Sequence, residues 1–480
     1  MAIYIFLLVG VILVGIPLCS EKGGRSGRII YCCAAAVVFI FIAAMRFDVG
    51  YDYNMYSYTY FNMKYMYPED LVGEKMEKGF LLPLYVLNLA FENYTAVFVY
   101  TSILIYPAVF YFIYKNSSSP WISVAAYLCM GLFFNSLCFI RQVIASLIIL
   151  YAMEYMDRKV PVRFFILVFA ASVFHWSSLI MLVMFFLLKI KPGYIYLGII
   201  SAGTLILCIF SKAFMKWASE HFAMYRIYDP DTMAIAAVGL SPKFTVMFGV
   251  LFIICFVFRK RLIEKNPRNS IYINCLMYTI AFEAMGIRHA VLSRFDILIF
   301  LPPVLYMVPD LVQVIREYIS EKLMQKGEGR VQPANICALA CLSLYFAGTY
   351  VMLIVGNYNG VVPYASQIDK DHEDFVEMII TEEDDYDYLL EDDDLDNEGL
   401  DKYDEYYYDN NGYSDDRYDD GHDEQPEDGE DPDDYSYSDE EWAGYYEQNG
   451  EEDDDWEEDG PPIDEKVLEQ ILLDQIAKLS

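Results

Sequence analysis

The sequence predicts an all-α, polytopic membrane protein of about 12 transmembrane helices with a disordered acidic C-terminal tail, and three observations carry that prediction. Of 480 residues, 56% are hydrophobic and 16% aromatic, yet the formal net charge is −34. The acid is concentrated: 48 of the 68 Asp/Glu but only 5 of the 34 Lys/Arg fall in 369–480. The first 368 residues, with 20 acids and 29 bases, are therefore apolar and mildly basic. Long apolar runs such as 3–18 and 336–355 recur throughout that part, which excludes a water-soluble enzyme. Nucleic acid is excluded as a partner because so acidic a tail repels phosphate.

The candidate spans, in order, are 2–19, 29–45, 95–114, 120–136, 140–153, 162–175, 177–190, 193–211, 243–258, 270–287, 295–313 and 334–355. The first is retained as a spanning helix, since it lacks the basic leader and small-residue cleavage site of a signal peptide. The run 79–91 is apolar too, but Glu77, Lys78 and Pro83 mark it as interfacial. All ten cysteines lie in or beside apolar runs and read as small buried hydrophobes. Alternating the spans places 20–28, Lys115, 154–163, 189–192, 259–268 and 314–330 on one side, with 18 Lys/Arg among them. That side is expected to be cytoplasmic. The outer loops are then 46–94 and 212–242, and both termini face out. The membrane domain covers 1–366. Residues 367–462, rich in Asp, Glu and Tyr, form the extracytoplasmic disordered tail. Val467, Leu468, Ile471, Leu472 and Ile476 give 463–480 the pattern of a short amphipathic helix.

Polar residues that do not read as topology signals gather on the outer side. Arg46, Asp48 and Asp52, followed by Tyr51, Tyr53 and Tyr56, offer an anion holder, two carboxylates for general acid or base work, and flat rings that stack on sugars. An interfacial aromatic belt with a snorkelling arginine accounts for the same pattern. Arg141 and Gln142 open another run, where charge is costly unless it serves a purpose. His175 breaks two apolar runs, and an imidazole facing a groove is the natural proton shuttle near neutral pH. Arg288 and Arg294, six residues apart, suit a phosphate or pyrophosphate, although helix anchoring explains them equally. Metal-type Cys/His spacing and Gly-rich phosphate loops are absent, so no metal or cofactor is expected.

The ordered set Arg46…Val49-Gly50-x-Asp52…Tyr56…Phe61, Glu77-x-Gly79-Phe80, Ile140-Arg141-Gln142-x-x-Ala145 and Phe174-His175-x-Ser177-Ser178 resembles the EpsG-like family of bacterial exopolysaccharide polymerases, relatives of the Wzy-type polymerases. Arg288…Ser293-Arg294-Phe295 and Val362-Pro363-Tyr364 look like its later landmarks. The likeness covers about 1–366 and leaves out the tail. It implies a multi-pass glycosyltransferase of the bacterial cell membrane, making exopolysaccharide or capsule, as in biofilms. Its substrate would be an oligosaccharide repeat unit on undecaprenyl pyrophosphate, joined to the next on the outer face, and its partners the lipid bilayer, a chain-length regulator and other exopolysaccharide proteins. On that footing Arg141, Arg288 and Arg294 grip the pyrophosphate with Gln142 beside them. Asp52 and His175 are candidate bases, Arg46 orients Asp52 or binds anionic substrate, and Tyr51 and Tyr56 face the sugar. A flippase of lipid-linked glycans and a glycan ligase are the competing readings.

Overall fold

The apolar runs form helices, and glycines or charged residues stand at several of the turns between them. The computed structural model describes residues 1–68, 70–73, 76–156, 161–221, 242–325, 331–369 and Phe375. All but 367–369 and Phe375 of the predicted disordered tail, the amphipathic segment 463–480 and most of the outer loop 212–242 lie outside the described residues.

The N-terminal half contains α1 (Ala2–Leu18), α2 (Gly24–Ala44), α3 (Tyr53–Asn62), α4 (Asp70–Gly73), α5 (Lys78–Asn88), α6 (Ala96–Asn116), α7 (Pro120–Cys129), α8 (Leu132–Cys138) and α9 (Ile140–Ala152). After these come α10 (Val162–Ser172), a 3₁₀ turn at Trp176–Ile180, α11 (Met181–Leu187), α12 (Tyr194–Ile209) and α13 (Ser211–His221). The rest comprises α14 (Lys243–Val257), α15 (Arg259–Lys265), α16 (Asn269–Gly286), a 3₁₀ helix at Ala290–Leu298, a π-helical turn at Pro303–Met307, α17 (Val308–Gln325) and α18 (Val331–Val355). No strand occurs among the described residues, where an isolated bridge pairs Arg46 with Ser366.

The span count differs from expectation. Among the described residues only α2 and α6, each of 21 residues, are long and apolar enough to cross a membrane unbroken, and the number rises to five if three bent pairs each count as one span. Hydropathy averages over a window and so passes through breaks that the backbone makes. Gly131, at φ +77°, separates α7 from α8, which bend by 59°. The run expected at 193–211 becomes α12 and α13, bent by 73°, and that at 295–313 changes helix type twice and bends by 48°. Other expected spans are helices of 10–17 residues, among them α1, α10 and α14. Large apolar side chains such as Phe6 and Leu13 of α1 and Ile195, Ile199 and Leu205 of α12 lie on the outside. Exposed apolar surface of this extent suits a lipid environment.

Two features of the packing position the polar residues. The long helices α2 and α6 lie against each other through a ring cluster in which Phe39 meets Phe110 at 5.1 Å and Phe133 at 4.9 Å. Next, the end of the described chain folds back onto the loop after α2. Phe47 N–H donates to Ala365 O at 3.1 Å, Gly50 N–H to Gly360 O at 3.0 Å, and Gln367 N–H to Met45 O at 3.0 Å. Gly50 (φ +100°) and Gly360 (φ +64°) allow this approach, since a Cβ at either would sit 2.9 Å from Cys138 Sγ or 2.7 Å from the Tyr51 ring. Phe375 extends the seam by packing on Phe47 at 4.9 Å and Tyr94 at 5.3 Å. Phe375 is thus part of the packed core.

Candidate functional site

Four chain segments meet at one place. α9 packs on the 3₁₀ helix 290–298 and on the 3₁₀ turn 176–180, and those two also touch each other. α3 and α5 pack together and add the fourth wall through Asp52, Tyr56 and Glu77.

Glu77 ties the group together. It immediately precedes α5, in extended backbone, and its side chain is buried. One carboxylate oxygen accepts from His175 Nδ1 at 2.9 Å and from Trp176 N–H at 3.2 Å, and the other accepts from Arg141 Nη1. The alignment has a local cause. Gly79 N–H donates to Val173 O at 3.0 Å, and a Cβ at position 79 would lie 2.6 Å from that oxygen. Only glycine lets the start of α5 come so close, and two residues along each chain Glu77 then faces His175. Burial alone would push the Glu77 carboxyl up, but the His175 hydrogen bond and the Arg141 charge outweigh it and hold it down at about 2.

Arg141, in the first turn of α9, also lies within hydrogen-bonding reach of the buried Tyr56 hydroxyl. Next to it, Gln142 is buried and donates through Nε2 to the carbonyl of Arg294. That contact joins α9 to the 3₁₀ helix 290–298. Arg294 is exposed, with its guanidinium 5.5 Å from the centre of the Phe139 ring. Asp52 is half-buried just before α3. Burial pushes its carboxyl up, while the charges of Arg294 and then Arg141 act to lower it. Asp52 therefore lies within the field of both guanidiniums. The hydroxyls of Ser177 and Ser178, adjoining His175, are buried without a hydrogen-bond partner, so polar capacity is left over on that wall.

Of the residues picked out from sequence, the structure brings together Asp52, Tyr56, Arg141, Gln142, His175 and Arg294. Arg46 is not among them. Its buried guanidinium donates to Ala43 O at 2.8 Å and Leu137 O at 3.0 Å and sits 4.4 Å from the Phe98 ring centre. Two of its donors are thus taken by backbone carbonyls at the end of α2 and in α8, and the guanidinium charges that act on Asp52 are those of Arg294 and Arg141. Tyr51 is also elsewhere, with its ring across Gly360 and its N–H donated to Asn359 O at 3.2 Å. Arg288 is exposed in the turn after α16, where its charge is felt by Cys208 of α12.

Two features escaped the sequence reading. Glu77 stood in the motif Glu77-x-Gly79-Phe80 without a role, because its partners lie 64 and 98 residues away. Glu283 of α16 and Asp296 of the 3₁₀ helix 290–298 are both buried and act on each other electrostatically. Among the described residues no group of three or more His, Cys, Asp or Glu could hold a metal ion.

A model of the EpsG family matches residues 29–366, a stretch that contains every residue of this site. No curated protein and no solved structure matches the chain.

Proposed function

The chain belongs to the EpsG family, and from that premise we propose that it is a membrane glycosyltransferase that polymerises oligosaccharide repeat units carried on undecaprenyl pyrophosphate. The observation that supports this most is the convergence of two guanidiniums, Arg141 and Arg294, on a carboxylate and an imidazole. Such a group supplies both needs of the reaction, a cationic seat for a departing pyrophosphate and a base for a sugar hydroxyl.

In this reading the reaction is a displacement at the anomeric carbon of the growing chain. The bond from that carbon to the pyrophosphate oxygen breaks, and Arg141 and Arg294 hold the charge left on undecaprenyl pyrophosphate. A hydroxyl of the next repeat unit forms the new glycosidic bond and passes its proton to His175. The imidazole suits the task because Nδ1 is engaged by Glu77, leaving Nε2 to accept. Asp52, between the two arginine charges, orients the acceptor and keeps the guanidiniums compensated before substrate enters. Gln142 fixes the segment carrying Arg294, and Tyr56 braces Arg141. The protein would work as a multi-pass protein of the bacterial membrane with this site, and the acidic tail, on the outer face.

Deletion of the gene, followed by analysis of lipid-linked glycans, tests the reading. Single repeat units accumulating on the outer face of the membrane are the expected result. Units trapped inside would point to a flippase, and finished polymer left on its lipid carrier to a ligase. Either outcome overturns the polymerase.

A further inference from the structure

Glu77 occupies a place that packing alone does not demand. A buried carboxylate is expensive unless donors surround it, and here three donors come from two separate elements: His175 Nδ1, Trp176 N–H and Arg141 Nη1. Gly79 and Val173 set the register from two residues away, so Glu77 and His175 meet with little freedom. Both side chains that Glu77 holds are partly open, at 22% for Arg141 and 25% for His175, whereas the carboxylate itself is 6% exposed. The carboxylate thus lies behind the two groups, and they face outward from it.

Resting on the polymerase reading, we infer that Glu77 is a positioning residue that couples the base to the leaving-group clamp. By accepting from Nδ1 it selects the His175 tautomer whose Nε2 can take a proton, and by engaging Nη1 it turns the remaining donors of Arg141 toward the pyrophosphate. One carboxylate thereby fixes the distance between the point where the proton is taken and the point where the leaving group departs. Glu77 touches no reacting atom, and its whole contribution passes through His175 and Arg141. A histidine held by a carboxylate in the wrong tautomer loses most of its use as a base.

The test uses full-length protein in lipid nanodiscs with a synthetic lipid-linked repeat unit, following release of the lipid pyrophosphate. If the unaltered protein fails to turn over, the proposed function falls, whatever Glu77 does. Given turnover, Glu77→Gln is the informative change, being isosteric and able to present an amide N–H to Nδ1. It should lower kcat at least about 100-fold, while KM changes less than about 3-fold and the melting temperature stays close to the parent's. Glu77→Asp, which keeps the charge but shortens the reach, should recover part of the loss. In a His175→Ala background the same Glu77→Gln change should cost less than about 5-fold, because the residue it acts through is gone. Two results would overturn the inference: a Glu77→Gln protein within about 3-fold of the parent, or an equal loss in both backgrounds with a lowered melting temperature, the mark of a carboxylate that only holds the fold.

Discussion

Replacing Arg141 by lysine separates a pyrophosphate clamp from a helix anchor. In the structure Arg141 uses Nη1 on the Glu77 carboxylate and reaches the Tyr56 hydroxyl. A guanidinium can do both and still offer a planar edge to a phosphate, whereas an ammonium is a point charge that must choose. Lysine keeps a cation beside Glu77, so the protein should insert and accumulate normally. It should lose one charge-assisted contact to the leaving group, about 1.5–3 kcal/mol, or on the order of 10- to 100-fold in rate if that contact tightens in the transition state. Alanine is less informative, since it strips the buried Glu77 carboxylate of its cation and should reduce abundance as well. The assay is the initial rate of lipid-pyrophosphate release together with polymer yield, normalised to the amount of protein in the membrane. An anchor predicts the reverse, because lysine snorkels as well as arginine does. A lysine variant within about threefold of the parent would refute the clamp.

The two later arginines should part company. Arg294→Lys is expected to lose activity as Arg141→Lys does, whereas Arg288→Lys, beside Cys208 and away from Asp52, should keep more than half; the same release assay decides. Glu77 makes stability pH-dependent in a definite direction. Its folded value of about 2 lies below the ordinary 4.5, so its contribution is complete above about 4.5 and is lost as pH falls toward 2. Melting temperatures measured downward from pH 6 should therefore drop more steeply for the parent than for Glu77→Gln. Finally, ending the chain after Thr381 should leave polymer synthesis intact, while ending it after Gln367 should lower the melting temperature by removing Phe375 from its contacts with Phe47, Tyr53 and Tyr94.

What could be read from the sequence was chemistry that stands out against an apolar background. Asp52, Arg141, His175 and Arg294 are conspicuous because charge at the mouth of a greasy run is costly, and the structure gathers all four. Arg46 stood out for the same reason, yet its charge is absorbed by carbonyls of Ala43 and Leu137, and no sequence pattern announces that a guanidinium will turn inward to backbone. Glu77 went unassigned because a lone carboxylate beside Lys78 looks like an interfacial residue until His175 is brought against it. The helical class followed directly from hydropathy. The span count did not, because a break such as Gly131 leaves the average over its window almost unchanged while redirecting the chain.

The seam between the loop after α2 and the segment around Gln367 has a consequence for biosynthesis. Gln367 bonds to a carbonyl 321 residues earlier, that of Arg46, and Tyr4 donates to Val361 O across 357 residues. During translation the loop that leads to Asp52 therefore leaves the ribosome long before the strip that locks it. Until that strip arrives, the wall that carries Asp52 is unfinished. Nascent chains and prematurely terminated products would thus be held inactive by topology, and turnover would begin only with protein translated through the seam.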